Sequence, residues 1–106
     1  PPLKEEDTFL SVGDLTLDRL RRTVKRGDDL VDLQQREFRL LEELMLNEGR
    51  ILTRTMLLER VWEFHFDPGT NIVESHISRI RSKIDRGGDA PLIHTVRGAG
   101  YVIRKA

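Results

Sequence analysis

Residues 70–86 carry the side chains best suited to recognition chemistry. With Val73 at zero and 100° per residue, Val73, Ile77, Ile80 and Ile84 fall within about 60° of one another, an aliphatic core stripe. The opposite face carries Asn71, Ser75, Ser78 and Ser82. Arg79, Lys83 and Arg86 run along one shoulder with His76 nearer the core edge, and Arg81 lies on the other shoulder beside Glu74. Small polar residues let the helix backbone approach a partner closely. A helix built only for solubility favours Glu–Lys pairs and Ala on that face. A helix that enters a nucleic-acid groove needs short polar or long donor side chains at its tip, where base edges are read. It needs cations on its shoulders, where phosphates are held. The plainer alternative is an amphipathic surface helix with solvated charge.

Charge along the chain fits the first reading and ordinary fluctuation along a chain equally. The 106 residues hold 18 Lys plus Arg and 18 Asp plus Glu, a formal net charge of zero. Pro1 to Gly49 nonetheless carries 8 basic and 12 acidic residues, a net −4, and Arg50 to Ala106 carries 10 and 6, a net +4. A basic half on a neutral chain suits a polyanion contacted by one face.

Other chemistries find little support. The chain has no Cys, which removes disulfides, thiolate metal sites and cysteine nucleophiles. His65, His76 and His94 are scattered, and only His65 and Asp67 approach ligand spacing, so no metal and no cofactor is expected. Ser75, Ser78 and Ser82 lie near His76, yet nothing suggests a water-excluding cleft or an oxyanion site, so no catalytic residue is assigned. Gly98 and Gly100 form a GxG that lacks a third Gly and is followed by a strand, which fits a hairpin turn better than a dinucleotide site. Trp62 reads as core or core edge, with its indole N–H a possible phosphate donor.

The elements that must position these residues follow from local pattern. Pro1 to Asp7 is polar and begins with two prolines. It reads as a linker, so residues 1–8 are taken as a linker remnant and residues 9–106 as one domain. The start without Met suits a segment of a longer protein, and no apolar run approaches the ~20 residues that span a bilayer. A cytoplasmic protein with no membrane partner is expected. Phe9–Val12, Leu15–Leu17, Thr23–Lys25 and Leu30–Leu33 have strand character and are separated by Gly13-Asp14 and Gly27-Asp28-Asp29, which predicts an antiparallel meander. From Gln35 the period becomes helical: Phe38, Leu40, Leu41, Leu44 and Met45 form a stripe that stops near Gly49. Gln34 stands at the N-cap with Glu37 three residues on. Thr53 predicts the cap of a second helix carrying Met56 to Trp62, and Thr70 the cap of a third over Asn71 to Asp85. Gly87-Gly88 and Pro91 close the third helix, and Leu92–Val96 and Tyr101–Arg104 flank a turn at Arg97 to Gly100.

Three helices ending in a basic one, then a hairpin, is the order of a winged helix-turn-helix. The runs Thr53–Trp62, Thr70–Lys83 and Thr95–Tyr101 closely resemble the effector domain of OmpR/PhoB-type response regulators. The likeness extends from Phe9 to Arg104 and includes Gln35–Leu41. Within that family, His65-Phe66-Asp67-Pro68 and Pro91-Leu92-Ile93-His94 look most like the copper- and heavy-metal-responsive subgroup.

The resemblance implies an α+β fold: an N-terminal four-stranded antiparallel sheet, three helices and a C-terminal β-hairpin wing. It implies sequence-specific binding of double-stranded DNA as the output domain of a bacterial two-component transcription regulator. Asn71, Ile72, Ser75, Ser78, Arg79 and Ser82 would then face bases. Trp62, His76, Arg81, Lys83 and Thr95 would meet the backbone, and Arg97 would reach the minor groove. Ser78 stands where some relatives carry Arg. Trp62 and the loop Glu63 to Gly69 match a region that contacts DNA backbone or RNA polymerase in relatives, and an upstream phosphoacceptor receiver domain is a further implied partner. Two copies would sit head to tail on tandem direct repeats. A winged-helix module that docks an acidic protein is the competing reading, and a shallow salt dependence would mark it.

Overall fold

The computed structural model describes residues 8–85 and 91–105. The expected linker Pro1–Asp7, Arg86 and the expected stop at Gly87-Gly88 lie outside the described residues. Period-two alternation produces four short strands, β1 (Phe9–Val12), β2 (Leu15–Asp18), β3 (Thr23–Arg26) and β4 (Asp29–Val31), paired in that order as an antiparallel sheet. The register aligns Leu10 with Leu17, Leu17 with Val24 and Val24 with Val31, so one apolar row crosses all four strands. That face packs on the core, and the opposite face carries Phe9, Thr16, Thr23, Lys25 and Leu30. β4 is shorter than its pattern suggested: it ends at Val31, and Leu33 is a half-buried residue at the core margin. Thr8, expected in the linker, is buried, and its carbonyl accepts from the Arg19 amide at 2.7 Å.

Three helices follow: α1 (Gln35–Leu46), α2 (Arg54–Trp62) and α3 (Ile72–Ile84). The α1 stripe is buried throughout, and Glu37 Oε1 accepts from the Gln34 amide at 2.9 Å, which satisfies one unpaired N–H of the first turn. Thr53 caps α2 as expected, its hydroxyl accepting from Met56 N at 3.1 Å. The expected cap at Thr70 is not formed. Asn71 occupies the N-cap of α3 without a side-chain bond, and the Thr70 carbonyl accepts from Arg54 instead. Val73, Ile77, Ile80 and Ile84 are all within 1% of full burial, as the wheel required. Burying such side chains contributes roughly 1.5–3 kcal/mol each, which anchors α3 by one face and leaves the other exposed.

The last element is a hairpin of β5 (Ile93–Val96) and β6 (Gly100–Ile103). It starts one residue later than expected, at Ile93, while the Leu92 carbonyl accepts from Arg104 N. The segment between α1 and α2 also joins β6. Leu52 and Tyr101 exchange two backbone hydrogen bonds of 2.8 and 2.9 Å, and Gly49 N donates to Ile103 O at 2.9 Å. The hairpin is therefore tied to the helical core rather than hanging from it.

Candidate nucleic-acid interface

On α3 the wheel becomes a surface. Asn71, Ser78, Arg79 and Ser82 are exposed, and Ile72, Ser75, His76, Arg81 and Lys83 are half-buried beside them. Ser82 Oγ donates to the Ser78 carbonyl one turn back at 3.1 Å, so the serine face stays short and close to the helix backbone. Arg79 makes no ion pair among the described residues and extends from this face.

The two shoulders are built differently. On one, Arg81 Nη2 donates to Thr95 Oγ1 at 2.6 Å, and its guanidinium lies 5.9 Å from the centre of the Tyr101 ring. Arg81 and Thr95, both expected at the backbone, thus join α3 to β5. Burial pushes the Tyr101 phenol up. Arg97 stands exposed in the hairpin turn with no ion pair among the described residues. On the other shoulder the His76 ring meets the edge of Trp62 at 5.0 Å between centroids and 87° between planes. His76 Nδ1 bonds the Ile72 carbonyl at 2.8 Å. Since that oxygen only accepts, Nδ1 carries the proton, and Nε2 remains for another partner. Trp62 itself is mostly core, 8% exposed.

Lys83 meets a partner the sequence did not foretell. Its Nζ lies 2.6 Å from Oε1 of the wholly buried Glu37. Its side chain thereby ties the last turn of α3 to the first turn of α1, while 34% of it stays exposed. Burial opposes the charged form of Glu37, but the Lys83 ammonium and the Gln34 amide outweigh it and hold the carboxyl below its ordinary value. With a depressed folded value, the stability contributed by Glu37 is complete above the usual carboxylate range and is lost as pH falls through the lowered one.

Two further arginines position α3. Arg54 Nε lies 3.0 Å from Glu74 Oε2 and Nη1 lies 2.7 Å from Asp67 Oδ2, and the same guanidinium donates to the Thr70 carbonyl. It clamps the loop 63–71 onto the first turn of α3. The Arg54 guanidinium and the Gly69 amide hold the Asp67 carboxyl low. Arg26 is buried, donating to Asp14 Oδ1 at 2.6 Å, the Ile84 carbonyl at 2.9 Å and Asp85 Oδ1 at 3.1 Å. It therefore satisfies a free carbonyl in the last turn of α3. The signal for it was present: two residues after Val24, Arg26 falls on the core face of β3. For Arg54 and Lys83 no local pattern pointed to the partner. Among the described residues no group of three or more His, Asp or Glu could hold a metal, and no helix is long and apolar enough to cross a membrane.

Comparison with known proteins fits this geometry. The family described as transcriptional regulatory protein, C terminal, matches residues 26–103. The response regulator MprA of Mycobacterium leprae is 45% identical over 100 residues, 94% of this chain and 44% of the relative. The transcriptional activator protein IrlR of Burkholderia pseudomallei is 48% identical over 98 residues, 92% of this chain and 43% of the relative. The chain thus spans less than half the length of these relatives. Among solved structures, the DNA-binding domain of Klebsiella pneumoniae RstA in complex with the RstA box superposes with a TM-score of 0.81 at 34% identity, covering 91% of this chain and 96% of that one. The sheet, the three helices and the terminal hairpin form a winged helix, and the chain belongs to the transcriptional regulatory protein C-terminal family, the OmpR/PhoB-type effector domains.

Proposed function

We propose that the chain binds double-stranded DNA sequence-specifically, as the output domain of a two-component response regulator that carries a receiver domain elsewhere in the full protein. The observation that carries this reading is the outward face of α3. Short polar residues and an unpaired Arg79 stand on a helix held by its opposite face, with the hairpin and Arg97 alongside. In this reading α3 lies in the major groove with Asn71, Ile72, Ser75, Ser78, Arg79 and Ser82 toward the bases. His76 and Thr95 meet phosphates, with Trp62 behind His76. Arg81 holds the wing while facing the backbone, and Arg97 enters the minor groove. Thr8, buried and bonded to Arg19, opens the binding domain one residue before the expected boundary at residue 9, and the segment before it serves as a linker. The protein acts in the cytoplasm and not as an enzyme. The copper- and heavy-metal-responsive subgroup is the finer placement, carried by His65–Pro68 and Pro91–His94. Phe66 is 66% exposed and stacks on Phe64 at 5.3 Å, an apolar tip suited to a protein partner, which we assign to RNA polymerase.

Binding to duplex DNA should weaken linearly in log K against log salt, with a slope near −0.9 per phosphate engaged. A shallow response would favour an acidic protein partner instead. Arg79→Ala should cost ~1–3 kcal/mol on a sequence selected from random DNA and much less on random duplex, because a guanidinium paired with a guanine edge carries the discrimination. Equal weakening on both would make Arg79 a phosphate contact.

Two copies are expected head to tail on direct repeats about one helical turn apart, the acidic half of one facing the basic half of the next. Inserting half a helical turn between repeats should abolish cooperativity and spare single-site binding. Cooperativity that required an inverted repeat would replace this arrangement with a two-fold one.

A further inference from the structure

Beyond α3 a second basic feature lies at the end of α2, beside the residues that flank Trp62. A cleft of about 230 Å³ lies where the turn after β2, the first turn of α1 and the end of α2 meet, lined by Arg22, Gln35, Arg36, Arg39, Arg60 and Glu63. Its volume is several times the ~30 Å³ share of one water, enough for a tetrahedral anion with some of its hydration. Four guanidiniums face one carboxylate there. Arg39 and Arg60 are offset by Glu42 and Glu43 on α1. Arg22 and Arg36 form no ion pair among the described residues.

Both unpaired arginines are held in place without being neutralised. Arg22 stacks its guanidinium 4.8 Å from the centre of the Phe38 ring, a contact that uses the ring face and leaves the N–H edges open. Its backbone sits at φ 57°, a left-handed conformation unusual for an arginine, in a turn where Asp18 Oδ1 accepts from the amides of Leu20 and Arg21. Arg36 donates to the Val61 carbonyl at the end of α2, one residue before Trp62. The first turn of α1 adds the positive end of its dipole. Val61 and Glu63, which line the cleft, flank Trp62, whose ring meets His76 of α3, and Glu37, next to Arg36, pairs with Lys83 in the last turn of α3.

We propose that this cleft holds a phosphodiester of the bound duplex, through Arg22 and Arg36, on the flank of the stretch that α3 reads. The inference rests on the DNA-binding reading. It adds a phosphate anchor contributed by the sheet and α1, outside the helix and wing. A group held there contributes affinity on any sequence and no base preference.

The test measures salt dependence on a random-sequence duplex about two helical turns long. The Arg22→Ala, Arg36→Ala double variant should lose ~0.9–1.8 from the log–log slope, one or two phosphates, with base preference unchanged. Arg22→Lys with Arg36→Lys should restore the slope, because a point charge serves a phosphate. Arg36 also braces α2, so the single Arg22→Ala variant, which breaks no hydrogen bond and loses only the stacking on Phe38, should by itself shallow the slope with only a small fall in the unfolding midpoint. A wild-type slope in both alanine variants overturns the proposal, as does a loss that the lysines fail to restore. Inorganic phosphate, followed through the arginine Nε resonances, separates the sources. Phosphate binding lost in the double variant while the duplex slope stays unchanged would make the cleft a free-anion site and overturn the duplex assignment. Failure of the wild-type chain to bind any duplex would instead overturn the DNA-binding reading itself.

Discussion

Gly100→Ala is expected to destabilise the domain by ~3 kcal/mol or more, lowering the unfolding midpoint by more than about 10 °C. A Cβ at this position would lie 2.1 Å from the Leu52 carbonyl oxygen and 2.8 Å from its carbon, both backbone atoms that no rotamer change can move. Relief requires parting Leu52 from Tyr101, which forfeits two backbone hydrogen bonds worth about 1 kcal/mol each and leaves the Leu52 and Tyr101 groups to be resatisfied. Gly98 supplies the control. It sits at φ +74° in open space, so Gly98→Ala meets only the left-handed backbone cost of about 1 kcal/mol. Urea unfolding of the two variants separates close approach from backbone conformation. Equal stabilities would show that the hairpin is not locked to the segment before α2. Because that lock also positions Thr95 and Arg97 beside α3, DNA affinity of the Gly100 variant should fall even where it remains folded.

Arg26→Ala should cost roughly 3 kcal/mol, the scale for removing one partner of a buried ionic cluster. The loss strands the Ile84 carbonyl and the Asp85 carboxylate, and leaves Asp14 without its partner. Arg26→Met fills the same space and should recover little, since the missing elements are donors rather than volume. The local signature is faster amide exchange in the last turn of α3, Arg81 to Ile84, beyond the increase explained by global stability. Unchanged relative protection in that turn would show that Arg26 does not hold the helix end. The exposed face of α3 is carried on a helix pinned at both ends, by Arg54 at its start and by Arg26 and Lys83 near its finish.

What the sequence made legible was local. The meander followed from alternation and Gly-containing turns, and its register matches the apolar row Leu10, Leu17, Val24, Val31. The α3 stripe and its serine face were legible because helical periodicity maps residue number directly onto angle. The Thr53 cap was read correctly from one hydroxyl at a helix start. The Thr70 cap is not formed, because the chain enters α3 one residue later, with Asn71 at the N-cap, while the Thr70 carbonyl accepts from Arg54.

Charged partners were the part that spacing could not supply. Lys83 looked like a shoulder cation, and Arg26 fell just past the expected end of its strand at Lys25. Their partners are Glu37, 46 positions away, and Ile84, 58 positions away. Likewise the Arg22 and Arg36 cleft gathers residues from a turn, one helix and the end of another. The sequence by itself determined the elements, their buried faces and the composition of the α3 surface, because hydrophobic periodicity, capping and turn chemistry act within a few residues. Only the tertiary structure decided which cations are consumed in holding α3 and which stay open to a polyanion. That choice depends on which carboxylates and carbonyls the packed core brings within hydrogen-bond reach.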